Sequence, residues 1–144
     1  MSMIETMVGL LGGRALLRVQ VRRDADLEQA VATGLPAEVV RHLADSTGAT
    51  LGELQEIMQI DRSTFSRRIK QRARLKVDES DRVARFARVA SLAMDALGRE
   101  EGLGWLRAPN RALGDREPMG MLGTDAGARQ VEQIVGRIEH GVVS

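Results

Sequence analysis

The sequence has no cysteine and no tyrosine, two Phe, one Trp and two His. Without Cys there is no disulfide framework, no thiolate metal site and no thiol nucleophile. His42 and His140 stand far apart in sequence, so a His-rich metal centre is not expected, and no residue pattern calls for a cofactor. With so few aromatics the core must be built from Leu, Val, Ile, Ala and seven Met. That mix favours helices packed through small side chains over a β-sandwich. No apolar run approaches the ~18 residues a membrane span needs. The start, "MSMIETMVGLLGG", places an acid ahead of its apolar stretch and has no basic leader, so a cleaved signal peptide is not expected and the compartment is read as the cytoplasm. Net charge is also missing: 21 basic and 20 acidic residues leave +1. Near-neutrality does not exclude a nucleic-acid partner. Phosphate contact is local, screened within ~8–10 Å, so clustering decides.

What is present is globular: 43% apolar and 28% charged over 144 residues, enough for one modest domain or two small ones sharing a core. Helical signals dominate. Residues 1–25 read as an arm, in which "RALLRVQVRR" could be a short strand or a segment lying apolar side down. "DLEQAVAT" is a short helix ended by Gly34. "LPAEVVRHLADSTG" puts Val39, Val40, Leu43 and Ala44 on one face, with Pro36 in its first turn. Thr50 and Glu53 form a capping box for "LGELQEIMQ". A turn leads to Ser63, read as the cap of "TFSRRIKQR", whose apolar stripe is only Phe65 and Ile69. The acids of "VDESD" suit the start of a long helix running to Leu97, with four Ala at close spacing (Ala87, Ala90, Ala93, Ala96). A Gly- and Pro-rich stretch around Trp105 follows, then a helix from Thr124 or Asp125 to about His140 and the tail "GVVS". The expected fold is all-α, about seven helices. It divides into an arm at 1–25, a helix-turn-helix-like unit at 26–76 and a C-terminal helical unit at 77–144, with the long helix joining them.

Three constellations carry candidate chemistry. The first is "TLGELQEIMQIDRSTFSRRIKQR", two short helices joined by a tight turn. In a helix-turn-helix the second helix enters the major groove. "IDRSTFSRRIKQRARLK" carries seven Lys or Arg after Asp61 and no acid. The candidate DNA contacts are Ser63, Thr64, Arg67 and Arg68 near the helix start and Lys70 and Arg72 on the phosphates, with Arg74 beyond. Two positions depart from the usual motif: Gln55 where a small residue lets the helices cross, and Gln59 where Gly makes the turn. The plain alternative is a solvated basic face. The second constellation is catalytic, and it is weak. Asp78, Glu79 and Asp81 suit a helix start better than an acid–base pair, Ser63 and Ser66 lack a nearby base, and "GLLGG" lacks the Lys-Ser/Thr of a P-loop. No catalytic residue and no metal ligand is expected, and the chain is read as a non-enzyme. The third is the C-terminal region. Trp105, the Pro109-Asn110 turn and the "GVVS" tail could form a partner surface, or Trp105 could plug a small core beside a frayed tail.

Beyond these readings, the chain resembles the MbcA/ParS/Xre antitoxins of bacterial type II toxin–antitoxin modules. The likeness runs from about Asp26 to Ser144. It rests on "GLPAEVVRHLAD", "STFSRRI", "LKVDESDRVARFARV" and above all "WLRAPNRALGDREPMGMLGTDAGARQVEQIVGRIEHGVVS". The resemblance implies a dimeric, DNA-associated antitoxin. Its partner would be a RES-domain toxin that degrades NAD or transfers its ADP-ribose. The C-terminal domain would sit over the toxin's NAD cleft, and the protein would repress its own operon. It implies toxin contacts at Trp105, Pro109, Asn110, Arg111, Arg129 and Glu132 and along the tail Gly141, Val142, Val143 and Ser144. Operator DNA, a homodimer and a toxin–antitoxin hetero-oligomer are the partners it implies, with no membrane. The competing reading is a stand-alone helix-turn-helix regulator whose C-terminal half only dimerises.

Overall fold

A computed structural model describes residues 2–141. The chain is all-α there, with no strand among the described residues and two isolated bridges, Pro36 with Arg74 and Asn110 with Arg116. The helices are α1 (Met3–Leu10), α2 (Gly13–Leu17), α3 (Asp24–Thr33), α4 (Glu38–Thr47), α5 (Leu51–Met58), α6 (Arg62–Lys70), α7 (Val77–Leu97), α8 (Arg99–Leu106) and α9 (Asp125–Glu139). Between α8 and α9 lie two 3₁₀ turns, Arg111–Leu113 and Pro118–Met121. No helix of the described residues is long and apolar enough to cross a membrane.

α7 is the spine. α1, α3, α4, α5, α8 and α9 all pack on it. Phe86, Ala87, Val89, Ala90 and Ala93 have no exposed surface, so the alanine spacing does let neighbours come close. One hydrophobic cluster runs from Leu10 to Val135 without a break between the N- and C-terminal parts. Polar ties reinforce it. Leu35 N–H donates to the fully buried Ser80 hydroxyl at 2.8 Å, and Arg82 donates to the Met58 carbonyl at the end of α5 at 3.1 Å.

The N-terminal residues differ from the expected strand or arm. They form α1 and α2, and Met7, Leu10, Leu11 and Leu17 are buried in the core. The reason is legible afterwards: Ser2 caps α1 by accepting the Glu5 N–H at 3.3 Å, and 7, 10 and 11 repeat at helical spacing. These two helices account for the excess over the seven expected. The cap of α6 also shifts. Asp61, not Ser63, accepts the Thr64 N–H at 2.8 Å, and the hydroxyls of Ser63 and Thr64 each donate to it at 2.7 Å. These donors, the Thr64 N–H first, hold the Asp61 carboxyl far below the usual carboxylate range.

Two glycines sit inside helices at backbone crossings. A Cβ on Gly102 of α8 would stand 2.5 Å from the Ala93 carbonyl oxygen of α7, and one on Gly127 of α9 only 2.0 Å from the Met121 carbonyl oxygen. Gly136, also in α9, has nothing within 4 Å of that position. Opposite signs are therefore expected in one helix. Gly136→Ala should stabilise by ~0.5–1 kcal/mol through helix propensity. Gly127→Ala should destabilise by ~3 kcal/mol through overpacking, lowering Tm by roughly 6–10 °C. Thermal unfolding of the two variants side by side checks this, and a Gly127→Ala protein as stable as the parent would refute the crossing.

Candidate nucleic-acid face and partner groove

α5 and α6 form the helix-turn-helix, and the turn between them is made by Gln59. Its backbone is left-handed, φ 58° and ψ 44°, and Ile60 N–H reaches back to the Gln55 carbonyl at 3.2 Å. That is a Schellman closure with Gln where Gly is usual. The departure from the motif costs ~1–2 kcal/mol of backbone strain and leaves the geometry intact. α5 keeps its capping box, Glu53 N–H to Thr50 at 3.0 Å and Thr50 N–H to Glu53 at 2.9 Å. The same Glu53 oxygen accepts Arg107 Nη1 at 2.8 Å, a link from the end of α8 to the first helix of the motif. Burial pushes the Glu53 carboxyl up, but the Thr50 N–H and Arg107 outweigh it, and its pKa lies below the ordinary value.

α6 has two faces. Phe65 is buried, and Ile69 and Arg68 lie beside it, half-buried, four and three residues on. Arg68 therefore does not face outward with the other cations. Its guanidinium pairs with the Glu79 carboxylate, and both side chains are largely buried, 14% and 8% exposed. Glu79 also accepts the Lys76 N–H at 2.8 Å at the start of α7. Arg68 is thus a correction to the candidate DNA set: it joins α6 to the spine. The position three residues after Phe65 was the available signal. The outward stripe is Ser63, Ser66, Arg67 and Lys70, all exposed, at spacings of three and four. Ser66, considered in the sequence only as a nucleophile, joins it. Thr64 lies half-buried at the edge, its hydroxyl committed to Asp61. Arg72 closes α6 with φ 53° and is exposed, and Arg74 donates to the Gly34 carbonyl at 2.8 Å.

The second surface is an open groove of about 840 Å³ between the end of α7, the α8–α9 connection and the last turns of α9. Trp105, Pro109, Asn110, Arg111 and Gly141 line it together with Leu97, Ala108, Ala112, Ile134 and Ile138. The connection is held in shape by Asn110. Its side chain accepts the Ala112 N–H at 3.0 Å, and its backbone accepts the Asp115 N–H at 2.9 Å and donates to the Arg116 carbonyl at 3.0 Å. The wall is apolar with one exposed cation, Arg111, which suits a protein partner presenting apolar and acidic atoms. Ile134 is buried in the core and Ile138 packs on its edge, and each also borders the groove, as does Leu97 at the end of α7.

Arg129 and Glu132 do not belong to this groove. At 3.6 residues per turn they project roughly opposite Ile134 and Ile138. Arg129 pairs with Asp125 at 2.7 Å, and Glu132 pairs with Arg88 of α7 at 2.7 Å. Val142, Val143 and Ser144 lie outside the described residues. No group of three acidic or His side chains close enough to hold a metal ion occurs among the described residues.

Both surfaces coincide with matched families. Residues 26–88 match the Antitoxin Xre-like helix-turn-helix domain, and residues 92–141 match the Antitoxin Xre/MbcA/ParS C-terminal toxin-binding domain. Among curated proteins, Antitoxin Xre of Photorhabdus laumondii is 36% identical over 77% of this chain and 76% of its own length. Antitoxin Xre of Yersinia enterocolitica is 32% identical over 91% and 92%, and that of Pseudomonas putida 30% over 89% and 80%. The two domains follow in the expected order and the relatives match over most of both chains, so the chain belongs to the Xre antitoxin family.

Proposed function

We propose that this protein neutralises a RES-domain toxin by seating the groove beside Trp105, with the tail from Gly141 to Ser144, over the toxin's NAD-binding cleft, and that it represses its own operon through α6. The functional division falls at 26–76 for DNA and 77–144 for the toxin, with α7 shared. One observation carries the reading: five of the residues named from the family resemblance converge on one groove inside the segment matched as toxin-binding. The toxin's identity, the blocked cleft and the homodimer rest on the resemblance, and action in the cytoplasm belongs to the same proposal. Inhibition is steric, and the chain itself turns over no NAD.

Co-expression with the product of the adjacent reading frame tests it. A stable complex should co-purify and growth should be restored. A neighbour that is not a RES-domain protein, or a pair that does not associate, would defeat the toxin assignment. On the DNA side, Arg67→Ala with Lys70→Ala should weaken operator binding about 30-fold or more. One lost base contact costs ~1–3 kcal/mol and one lost phosphate contact lowers the salt slope by ~0.9. Fluorescence anisotropy on the promoter duplex at several salt concentrations measures both; unchanged affinity and slope would remove α6 from the DNA interface.

A further inference from the structure

The N-terminal helices lie outside the matched helix-turn-helix segment, which begins at residue 26. From Thr6 to Arg23 the chain has no acid and carries Arg14, Arg18, Arg22 and Arg23, all exposed. This is the second acid-free basic run of the sequence, and the fold brings it beside the first. Val19 and Gln20 share a small cleft with Pro36 and Arg74. Ala37 N–H donates to the Ala73 carbonyl at 3.0 Å and Leu75 N–H to the Leu35 carbonyl at 2.8 Å. Arg18 stands 3.9 Å from Glu38, the residue after Ala37. The loop after α2 and the end of α6 therefore border one surface.

The backbone adds a second observation. Arg18 and Arg72 both adopt left-handed conformations, φ 64° and 53°, one at the end of α2 and one at the end of α6. Glycine sits in that region without strain; arginine does not. The backbone does not call for arginine at either helix end, and Gln59 and Asp115 adopt the same conformation, so it is the charge and placement of these side chains that point to their use. The acids nearby offset this charge only in part: Asp26 stands 3.8 Å from the Arg23 guanidinium, which remains 79% exposed. Asp26 is engaged by the N–H groups of Arg22 and Arg23, at 3.0 and 3.1 Å, in capping α3. Asp24 lies in the first turn of the same helix. Glu38 pairs with Arg18 at 3.9 Å, the long end of an ion pair, and the Arg18 side chain stays 38% exposed, open to a second anion.

We propose that the segment from Arg14 to Arg22, centred on Arg18, is a second duplex-DNA contact that grips the phosphate backbone flanking the site read by α6. It rests on the reading of α6 as the DNA-facing helix. Phosphate contact carries no sequence preference. It should therefore strengthen binding to the promoter duplex and to an unrelated duplex by the same factor.

The test uses the full chain and Arg18→Gly, a substitution that removes the side chain while relieving the backbone, so folding is not put at risk. Affinity for a labelled duplex covering the region upstream of its own reading frame should fall roughly 5- to 10-fold near 0.1 M salt, and the salt slope by ~0.9. The unrelated duplex should lose the same factor, and toxin neutralisation should stay at the parent level. Arg14→Gln, Arg18→Gly and Arg22→Gln together should lower the slope by ~2.7. If Arg18→Gly leaves affinity and slope unchanged while Arg67→Ala with Lys70→Ala abolishes promoter binding, this inference fails and the α6 reading stands. If Arg18→Gly weakens the toxin complex and not DNA binding, the surface belongs to the protein partner and the inference is overturned. If the parent protein binds neither duplex, the α6 reading falls and this inference falls with it.

Discussion

Replacing Arg68 by Ala should destabilise the protein by ~3 kcal/mol, a large part of the total stability of a domain this size. Arg68 and Glu79 are both largely buried, and each is the other's charge partner. Removing one cation leaves a carboxylate in the interior that keeps, among the described residues, the Lys76 N–H as its hydrogen bond. Chemical denaturation should show a lower midpoint with the slope unchanged. Arg68→Met with Glu79→Leu should recover most of the loss, because no unpaired charge remains. Operator binding by Arg68→Ala should fall only in proportion to the unfolded fraction. A variant with the parent's midpoint and a lost operator complex would instead place Arg68 on the DNA. The distinction matters because Arg67 and Arg68 adjoin in sequence and are alike in chemistry. A helix turns ~100° per residue, so one of the pair faces solvent and the other joins α6 to α7.

Periodicity made much of this architecture readable. Thr50 and Glu53 announced α5, and Thr124 announced the start of α9. The alanines of α7 announced a spine, and α7 is one. What stayed hidden depended on tertiary contact. Nothing local distinguishes Gly127, pressed against the Met121 carbonyl, from Gly136, which faces open space. The Gln59 turn had argued against a helix-turn-helix because the sequence shows the residue type and not the strain it tolerates. Arg129 and Glu132 shared a segment with the groove residues but not a face, and a list of segment positions cannot separate the two. Ile138 looked like core because its spacing is that of core. The fold shows that it is only partly covered among the described residues and also lines the groove.

Trp105→Ala should weaken the toxin complex by about 30- to 1,000-fold, the range of a 2–4 kcal/mol interface anchor. Trp105 is half-buried: part of it packs on the hydrophobic cluster, and the rest lines the groove with Pro109 and Ile138. A large rigid ring over an apolar floor is the kind of residue on which interface energy concentrates. Truncation also removes some intramolecular packing. The informative quantity is therefore toxin affinity by calorimetry at a temperature where the variant's circular dichroism matches the parent's. Trp105→Phe should recover part of the affinity, since it restores area without the full ring. Arg129→Glu supplies the contrast. Arg129 pairs with exposed Asp125 on the far side of α9, and its loss should change toxin affinity less than threefold, as for a rim or non-contact charge. The opposite ranking, a tolerated Trp105→Ala and a disabling Arg129→Glu, would move the toxin interface from the groove to the outer face of α9.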